Sequence, residues 1–196
     1  KFTTAAAQTA WEQKALQKLK QNPSSDAWQV VKVKHAKSEQ GQTMTVQDDG
    51  SVLVTGKNPA TDNYAVEIET DLENITGIRL EALAHPSFTN KGLARSNSGN
   101  FVLTRFSVET TQGEKKKPTE IKIAKAVADF HQGSLKIEGT LDTDANSGWA
   151  VLNTPDMTIT RNAAFTFAQP FAGGRGTILT VRLNHESRHE FHNICR

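Results

Sequence analysis

The fold class is decided by a stretch that runs Phe101-Val102-Leu103-Thr104-Arg105-Phe106-Ser107-Val108-Glu109-Thr110. Its side chains change character with a period of two, the pattern of a β-strand with one buried face. The same period predicts further strands over Trp28–His35, Thr43–Val46, Ser51–Gly56, Tyr64–Thr70, Ile75–Leu83, Glu120–Asp129, Ala163–Phe167 and Thr177–Leu183. The turn sequence Asp48-Asp49-Gly50 predicts that the second and third of these form a hairpin.

These segments amount to about nine strands, spaced roughly 10 to 20 residues apart, with no helical pattern between them. Because a parallel α/β fold needs helices between its strands, the strands are expected to pair antiparallel. Alternating apolar faces mean that each sheet is covered on one side only, which suits two stacked sheets. The sequence therefore predicts an all-β fold, an antiparallel β-sandwich.

A helix is predicted only at the start of the chain, over residues 1–22. Thr3 or Thr4 can cap it, its apolar side chains recur at helical spacing, and Pro23 stops it. We expect this helix to pack on the sandwich through Trp11.

The length of 196 residues suits one well-buried core. Residues 23–196 are expected to form a single β-sandwich domain with a long exposed loop near 111–119. The chain does not begin with Met, and its last residue, Arg196, directly follows the apolar pair Ile194-Cys195. We therefore expect it to be a piece of a longer protein.

Charge and cysteine content exclude several classes of function. The formal net charge is +2 at pH 7 with both signs interspersed, whereas a nucleic-acid binder needs a one-sided basic surface, so no nucleic acid partner is predicted. No apolar stretch reaches the ~20 residues of a membrane span. Cys195 is the single cysteine. It cannot form an internal disulfide, a zinc ribbon, an iron–sulfur site or a Cys-x-x-Cys-His attachment, so no haem is expected in this segment.

A long connection, residues 85–100, links two predicted strands and is rich in Asn, Ser and Gly. Connections of this length in a compact domain are usually functional or disordered. His85, Arg95, Asn97 and Asn100 are therefore candidate polar contacts for a ligand. The alternative is a wrapping loop held in place by its own side-chain hydrogen bonds, and the residues do not decide between the two.

One motif points to a metal. His185-Glu186-Ser187-Arg188-His189 fits the His-Glu-x-x-His pattern of zinc proteases, in which a helix turns two His towards one ion and the Glu acts as base. Here it directly follows a predicted strand, and in a strand residues four apart lie about 13 Å from each other. We expect a bend with solvent-facing histidines. The alternatives are an adventitious metal on His185, His189 and His192, and a zinc hydrolase using His185, Glu186 and His189.

A second segment suggests calcium. Asp142, Asp144 and Asn146 place side-chain oxygens at alternate positions, as a calcium loop does, although the closing Glu of an EF-hand is missing. Calcium on these three residues is therefore a candidate cofactor. The neighbouring Trp149 is either a stacking platform for a sugar ring or a core residue.

Several stretches resemble a family of large planctomycete surface proteins that carry cytochrome-c-like domains. The stretches are Asn74–Leu83, Pro86-Ser87, Ala94–Leu103, Thr45–Leu53, Ala128–Phe130, Asp142–Ala150, Leu179–Leu183 and His192–Arg196. In that family the segment looks like a galactose-binding-type jelly roll, similar to discoidin and carbohydrate-binding modules. The resemblance implies an exported protein (extracellular, cell-surface or periplasmic) with a glycan-facing accessory role.

Together these observations predict a non-catalytic carbohydrate-binding module that recognises a polysaccharide or glycan through loops at one end of the sandwich. His85, Arg95, Asn97 and Asn100 would supply polar contacts, and Trp149 a platform. The alternative is a structural spacer that docks the flanking domains of the parent chain. An exposed indole at position 149 would favour the sugar, and a buried one the spacer.

Overall fold

A computed structural model describes residues 28–111, 117–152 and 156–196. The predicted helix over 1–22 and the centre of the predicted loop near 111–119 lie outside the described residues. Val31–Arg196 form one compact unit. The predicted domain boundary at residue 23 stays a prediction.

Strands make up most of the regular structure of the described residues. In chain order they are β1 (Lys32–Ser38), β2 (Gln42–Val46), β3 (Val52–Gly56), β4 (Asp62–Thr70), β5 (Ile75–Ala82), β6 (Val102–Leu103), β7 (Arg105–Thr110), β8 (Thr119–Glu120), β9 (Ile123–Ala128), β10 (Trp149–Ala150), β11 (Arg161–Phe171) and β12 (Thr177–His185). Two short 3-10 segments span Thr89–Lys91 and Ile137–Leu141. No helix in this part of the chain is long and apolar enough to cross a bilayer. The predicted all-β class is confirmed for the described residues.

The strands pair antiparallel, as predicted. The largest sheet has the order β1-β4-β12-β7-β8, and a three-stranded sheet has the order β5-β11-β9. Two smaller ladders join β2 to β3, which is the predicted hairpin, and β6 to β10. Strand β12 is central in the largest sheet, where Leu183 lies opposite Tyr64 on one side and Phe106 on the other.

The two larger sheets share one hydrophobic core. Phe106 on β7 stacks on Phe165 on β11, with ring centroids 3.6 Å apart and planes within 5° of parallel. Because β7 and β11 belong to different sheets, this stack is a direct contact between the two sheets. Aromatic rings bury large apolar areas and therefore contribute much of the stability of such a core.

Strand β12 shows how the period of two places side chains. Leu179, Val181, Leu183 and His185 are buried, while the residues between them are partly exposed. On the other face, Arg182 pairs with a glutamate of β7 at 2.9 Å. His185 therefore continues the buried face of the strand.

The long strand predicted over 101–110 is divided at Thr104. Its backbone N–H and its hydroxyl both donate to the carbonyl oxygen of Asn184, at 2.8 and 2.9 Å, and its Oγ1 accepts from the N–H of Glu186 at 3.1 Å. Before this point β6 pairs with β10, and after it β7 pairs with β12. One stretch of alternating sequence therefore serves two sheets.

Strand β10, which was not predicted, lies beside β6 because of a glycine. Gly148 has φ 132°, and a Cβ added there would collide with the carbonyl oxygen of Leu103. A residue without a side chain allows this close approach of two backbones.

The end of the chain is anchored by backbone hydrogen bonds to distant segments. They run from Val102 N to His192 O (2.8 Å), from Cys195 N to Leu93 O (3.2 Å), from Val54 N to Cys195 O (2.8 Å) and from Leu83 N to Arg196 O (2.9 Å). The loop 186–191 is thus held at one end by β12 and at the other by this anchored segment.

Candidate functional site

Three segments from distant parts of the sequence meet around an open cleft of about 380 Å³. They are the turn 132–135, the loop 142–147 and the loop 186–191. The lining residues are Gln132, Gly133, Ser134, Leu135, Asn146, Ser187, Arg188 and His189. The volume is at the lower end of the range of ligand-binding pockets. Because most of these side chains are polar, the cleft suits a polar ligand.

The turn 132–135 is held against β10 by backbone bonds. Gln132 N donates to Ala150 O at 2.8 Å, and Leu135 N donates to Gln132 O at 2.8 Å. Gly133 has φ 49°, a left-handed conformation that glycine adopts without steric cost. The turn therefore needs neither the Gln132 nor the Ser134 side chain to satisfy its own backbone.

The side-chain amide of Gln132 has a defined orientation. Its Oε1 accepts from the backbone N–H of Leu152 at 3.0 Å and from Nδ2 of Asn100 at 3.2 Å. Since a backbone N–H can only donate, the carbonyl end of Gln132 must face Leu152, and its NH₂ group is the end left for the cleft. Asn100 is itself fixed, because its Oδ1 accepts from the N–H of Val151 at 2.9 Å.

The loop 142–147 folds around its own carboxylates. Asp142 Oδ1 accepts from Asp144 N at 2.8 Å and from Ser147 Oγ at 2.7 Å. Asp144 Oδ1 accepts from the backbone N–H of Asn146 at 2.9 Å and from its Nδ2 at 3.0 Å, and these donors lower the pKa of Asp144 by stabilising its charged form. Asn146 therefore commits its NH₂ group to Asp144 and keeps its carbonyl oxygen for the cleft.

The loop 186–191 forms the charged wall of the cleft. His189 N donates to Ser187 Oγ at 3.1 Å, which closes a turn around Arg188. Both Arg188 and His189 are exposed. Among the described residues, no side-chain hydrogen bond or ion pair engages the Arg188 guanidinium. An unpaired guanidinium beside a cleft is free to bind a ligand.

Trp149 is a core residue. It has 0 % exposure, its ring packs edge-on against Phe101 with centroids 4.8 Å apart, and its indole N–H donates to Phe130 O at 2.8 Å. A side chain with no exposed surface has no face on which a sugar ring could stack. Of the two interpretations of Trp149, the structure supports the second.

Arg95, a predicted ligand contact in the loop 85–100, serves the protein instead. Its guanidinium donates to the carbonyl oxygens of Gly56 at 2.8 Å and Lys57 at 2.6 Å, and to the side-chain oxygen of Gln42. These bonds tie the end of β3 to the loop, and they use the nitrogens that a ligand would need.

The other predicted contacts of this loop have different surroundings. His85 Nδ1 lies 2.7 Å from Ser87 Oγ, and Asn97 is exposed. Asn100 is only 2 % exposed and reaches the cleft indirectly, through Gln132. The structure therefore does not gather these side chains around one ligand, and the loop fits the alternative of a wrapping segment.

The His-Glu-x-x-His motif does not lie on a helix. Strand β12 extends through His185, and bends and turns follow, as expected. The expectation of solvent-facing histidines is wrong for His185, which is only 2 % exposed because it continues the buried face of β12. His185 Nδ1 lies 3.3 Å from Asp62 O, and Nε2 accepts from Ile194 N at 3.2 Å. Burial lowers the pKa of His185 to about 4. Glu186 accepts from Nδ2 of Asn63 at 2.9 Å. With both ring nitrogens engaged, His185 has none to offer a zinc ion.

Among the described residues, no group of three or more His, Cys, Asp or Glu side chains is placed to hold a metal ion. His189 and His192 have ring centroids 5.8 Å apart, but His185, the third member of the predicted adventitious site, is engaged inside the protein. The predicted calcium ligands in the loop 142–147 use carboxylate oxygens as acceptors for their own loop. Calcium at this loop stays a prediction.

The chain matches no protein-family model, no curated protein and no solved structure. The resemblance to planctomycete surface proteins therefore stays a prediction.

Sequence reasoning missed Gln132, Ser134 and Arg188 as cleft residues, and it missed Phe191. Phe191 is 41 % exposed, has φ 67° and donates its N–H to Ala60 O at 2.8 Å. A bulky residue with positive φ is uncommon. The sequence signal that could have identified Phe191 is its place as a lone aromatic residue within a polar, histidine-rich stretch.

Proposed function

We propose that the chain is a non-catalytic glycan-binding module and that its ligand lies in the cleft formed by the turn 132–135 and the loops 142–147 and 186–191. The observation that carries this proposal is the convergence of polar side chains from three distant segments on one concave surface. In architecture, we propose that the two larger sheets form a β-sandwich of the jelly-roll type, with the cleft at one end.

The polar groups of the cleft suit a sugar. Pyranose rings carry several hydroxyl groups, each a donor and an acceptor, and amide and guanidinium groups are their usual partners. Gln132 offers an NH₂ group, Asn146 a carbonyl oxygen and Arg188 a fork of N–H donors. A shallow site of this size desolvates little area, so the expected Kd is on the order of micromolar to millimolar.

Phe191 is the candidate for the stacking contact that Trp149 cannot provide. It lies two residues after His189 in the same loop, and its ring is partly exposed. Its left-handed backbone conformation is unfavourable for a bulky residue, so surrounding bonds must stabilise it. Residues with such strained backbones are found preferentially at functional sites. We propose that its ring covers one face of the bound sugar.

The family resemblance suggests where the module is located and which domains accompany it. We propose that the parent protein is exported and that flanking domains accompany the module. Calcium at Asp142, Asp144 and Asn146 would act on the cleft by stabilising the loop that carries Asn146.

Isothermal titration against a broad panel of polysaccharides tests the proposal. We expect weak saturable binding that Asn146→Ala reduces severalfold and Asn97→Ala, an exposed asparagine outside the cleft, leaves unchanged. Repeating the titration with a calcium chelator tests the calcium loop. No binding to any member of the panel would contradict the glycan proposal.

The burial of Trp149 favours a second candidate, a structural spacer that docks its neighbouring domains. In that case the polar cleft is a contact surface for protein. Titration with the neighbouring domains of the parent chain would then give binding that Arg188→Ala weakens, while the glycan panel gives none.

A further inference from the structure

The fold brings together a different pair of histidines from the pair in the His-Glu-x-x-His motif. The chain has six histidines, and the first of the motif, His185, is buried with both ring nitrogens engaged. His189 has another histidine beside it, because its ring centroid lies 5.8 Å from that of His192. The two ring planes are inclined by 56°, so the rings are neighbours that do not stack.

The spacing of these two rings suits a shared metal ion. Zinc binds imidazole nitrogen at about 2.0–2.1 Å, so two imidazoles on one tetrahedral zinc ion have ring centroids about 5–6 Å apart. The 5.8 Å between His189 and His192 lies within that range. Because His189 is exposed, its ring can turn towards an ion without disturbing the core.

His192 has the ring nitrogen that a metal needs. Its Nδ1 lies 2.8 Å from the backbone carbonyl oxygen of Glu190. Since a carbonyl oxygen can only accept, Nδ1 carries the hydrogen, and Nε2 of the neutral ring keeps its lone pair. Histidines that bind metals in proteins almost always donate from their second nitrogen in this way, which fixes the tautomer and the orientation of the ring.

The backbone around the two histidines is already fixed, and the ring of His189 is available. His189 N donates to Ser187 Oγ at 3.1 Å, and His192 O accepts from Val102 N at 2.8 Å. Among the described residues, no hydrogen bond engages the ring nitrogens of His189. A pair held in this way loses little conformational freedom when an ion binds, which favours binding.

We propose that His189 and His192 bind one divalent transition-metal ion, such as zinc, through one ring nitrogen each. The site is smaller than the predicted three-histidine site, because His185 is engaged inside the protein. With two protein ligands, the ion keeps coordination positions for water. Since His189 lines the cleft, the ion would lie at the edge of the cleft. The inference does not depend on the proposed function, because no saccharide takes part in it.

Calorimetric titration of the untagged chain with zinc chloride tests the inference. We expect one ion per chain with a Kd of about 1–100 µM, because two ligands supply only part of the free energy of a four-ligand zinc site. Copper(II) should bind more tightly than zinc, and magnesium, which prefers oxygen ligands, should not bind.

Three histidine variants locate the ion. His189→Ala and His192→Ala should each weaken zinc binding about 10-fold or more, because a single imidazole remains. His35→Ala removes an exposed histidine of β1 and should leave the affinity unchanged. In an NMR titration of the wild type, which needs no variant to fold, zinc should shift the ring signals of His189 and His192 and leave those of His35 in place.

The metal site and the glycan module fail separately. The metal inference is overturned if zinc does not bind saturably, if both site variants keep the wild-type affinity, or if His35→Ala weakens binding as much as they do. None of these results bears on the saccharide titrations. Conversely, a saccharide panel without a ligand leaves the metal site standing.

Discussion

The loop 85–100 and two segments of the cleft, the turn 132–135 and the loop 186–191, contain the same kinds of polar residue and use them differently. In the former, Ser96 Oγ donates to Asn100 O at 2.6 Å, and the N–H groups of Leu93 and Ala94 both donate to Gly99 O at 3.0 Å. The loop 85–100 therefore uses its polar groups for hydrogen bonds within the loop. Around the cleft, Arg188 has no such partner among the described residues.

The difference arises from how each segment satisfies its backbone. A long loop leaves many N–H and C=O groups without a ladder partner, and its own side chains and turns must compensate. The backbone of the short turn 132–135 hydrogen-bonds to β10. The side chains of Gln132 and Ser134 are therefore not needed to satisfy the backbone of the turn. A polar loop is therefore a better binding candidate when neighbouring strands satisfy its backbone.

The largest effect is expected at Trp149. It distinguishes this core residue from Phe191, the partly exposed aromatic residue of the loop 186–191. Trp149→Ala removes a fully buried ring and leaves a cavity, which should lower the free energy of unfolding by about 3–5 kcal/mol. Phe191→Ala, at a position that is 41 % exposed, should lower it by clearly less than Trp149→Ala does and weaken glycan binding as well. Urea denaturation of both variants measures this, and equal losses of stability would contradict the assignment of Trp149 to the core.

A smaller effect is expected from the pH dependence of His185. Burial lowers its pKa from 6.5 to about 4 in the folded chain, so between these values the unfolded chain binds a proton that the folded chain does not. The free energy of unfolding should therefore have its full value above pH 6.5. It should fall by up to about 3 kcal/mol as the pH drops to 4. His192, whose pKa burial also lowers, acts with the same sign.

Urea midpoints at pH 7 and pH 5 measure this dependence, and His185→Gln should reduce it. Should that variant fail to fold, an NMR titration of the His185 ring in the wild type gives the same information. A ring that titrates near 6.5 in the folded protein would show that His185 is accessible and that the motif could bind metal.

The smallest effect is expected at Asn100, which links the two regions. Asn100→Ala leaves the N–H of Val151 without its acceptor, at a cost of about 1–3 kcal/mol, and removes one of the two hydrogen bonds that orient the amide of Gln132. Unfolding curves and glycan titration should both register the change. A loss of stability with unchanged glycan affinity would exclude a positioning role for Asn100.

Much of the fold could be predicted because the period of two is a local signal. The hairpin β2–β3 and the strands β4, β5, β11 and β12 follow it. The break at Thr104 could not be predicted, since it depends on hydrogen bonds to Asn184 and Glu186, some 80 residues away in the chain. The pairing of β10 depends in the same way on the contact of Gly148 with Leu103.

The cleft could not be predicted, because it exists only where the topology brings three segments together. Asn146 and His189 were singled out as metal ligands, yet nothing local indicates that they line one surface. Trp149 illustrates a different difficulty: a tryptophan beside a loop suits both a core and a sugar platform, and burial alone distinguishes them.

An NMR titration of the ¹⁵N-labelled chain with the saccharide of the panel that binds most tightly tests the central claim most directly. The account predicts that the side-chain signals of Gln132, Asn146 and Arg188 shift on saturation, while the side-chain signals of Asn97 and Arg95 do not move. Shifts confined to the loop 85–100, with the cleft signals unchanged, would contradict it.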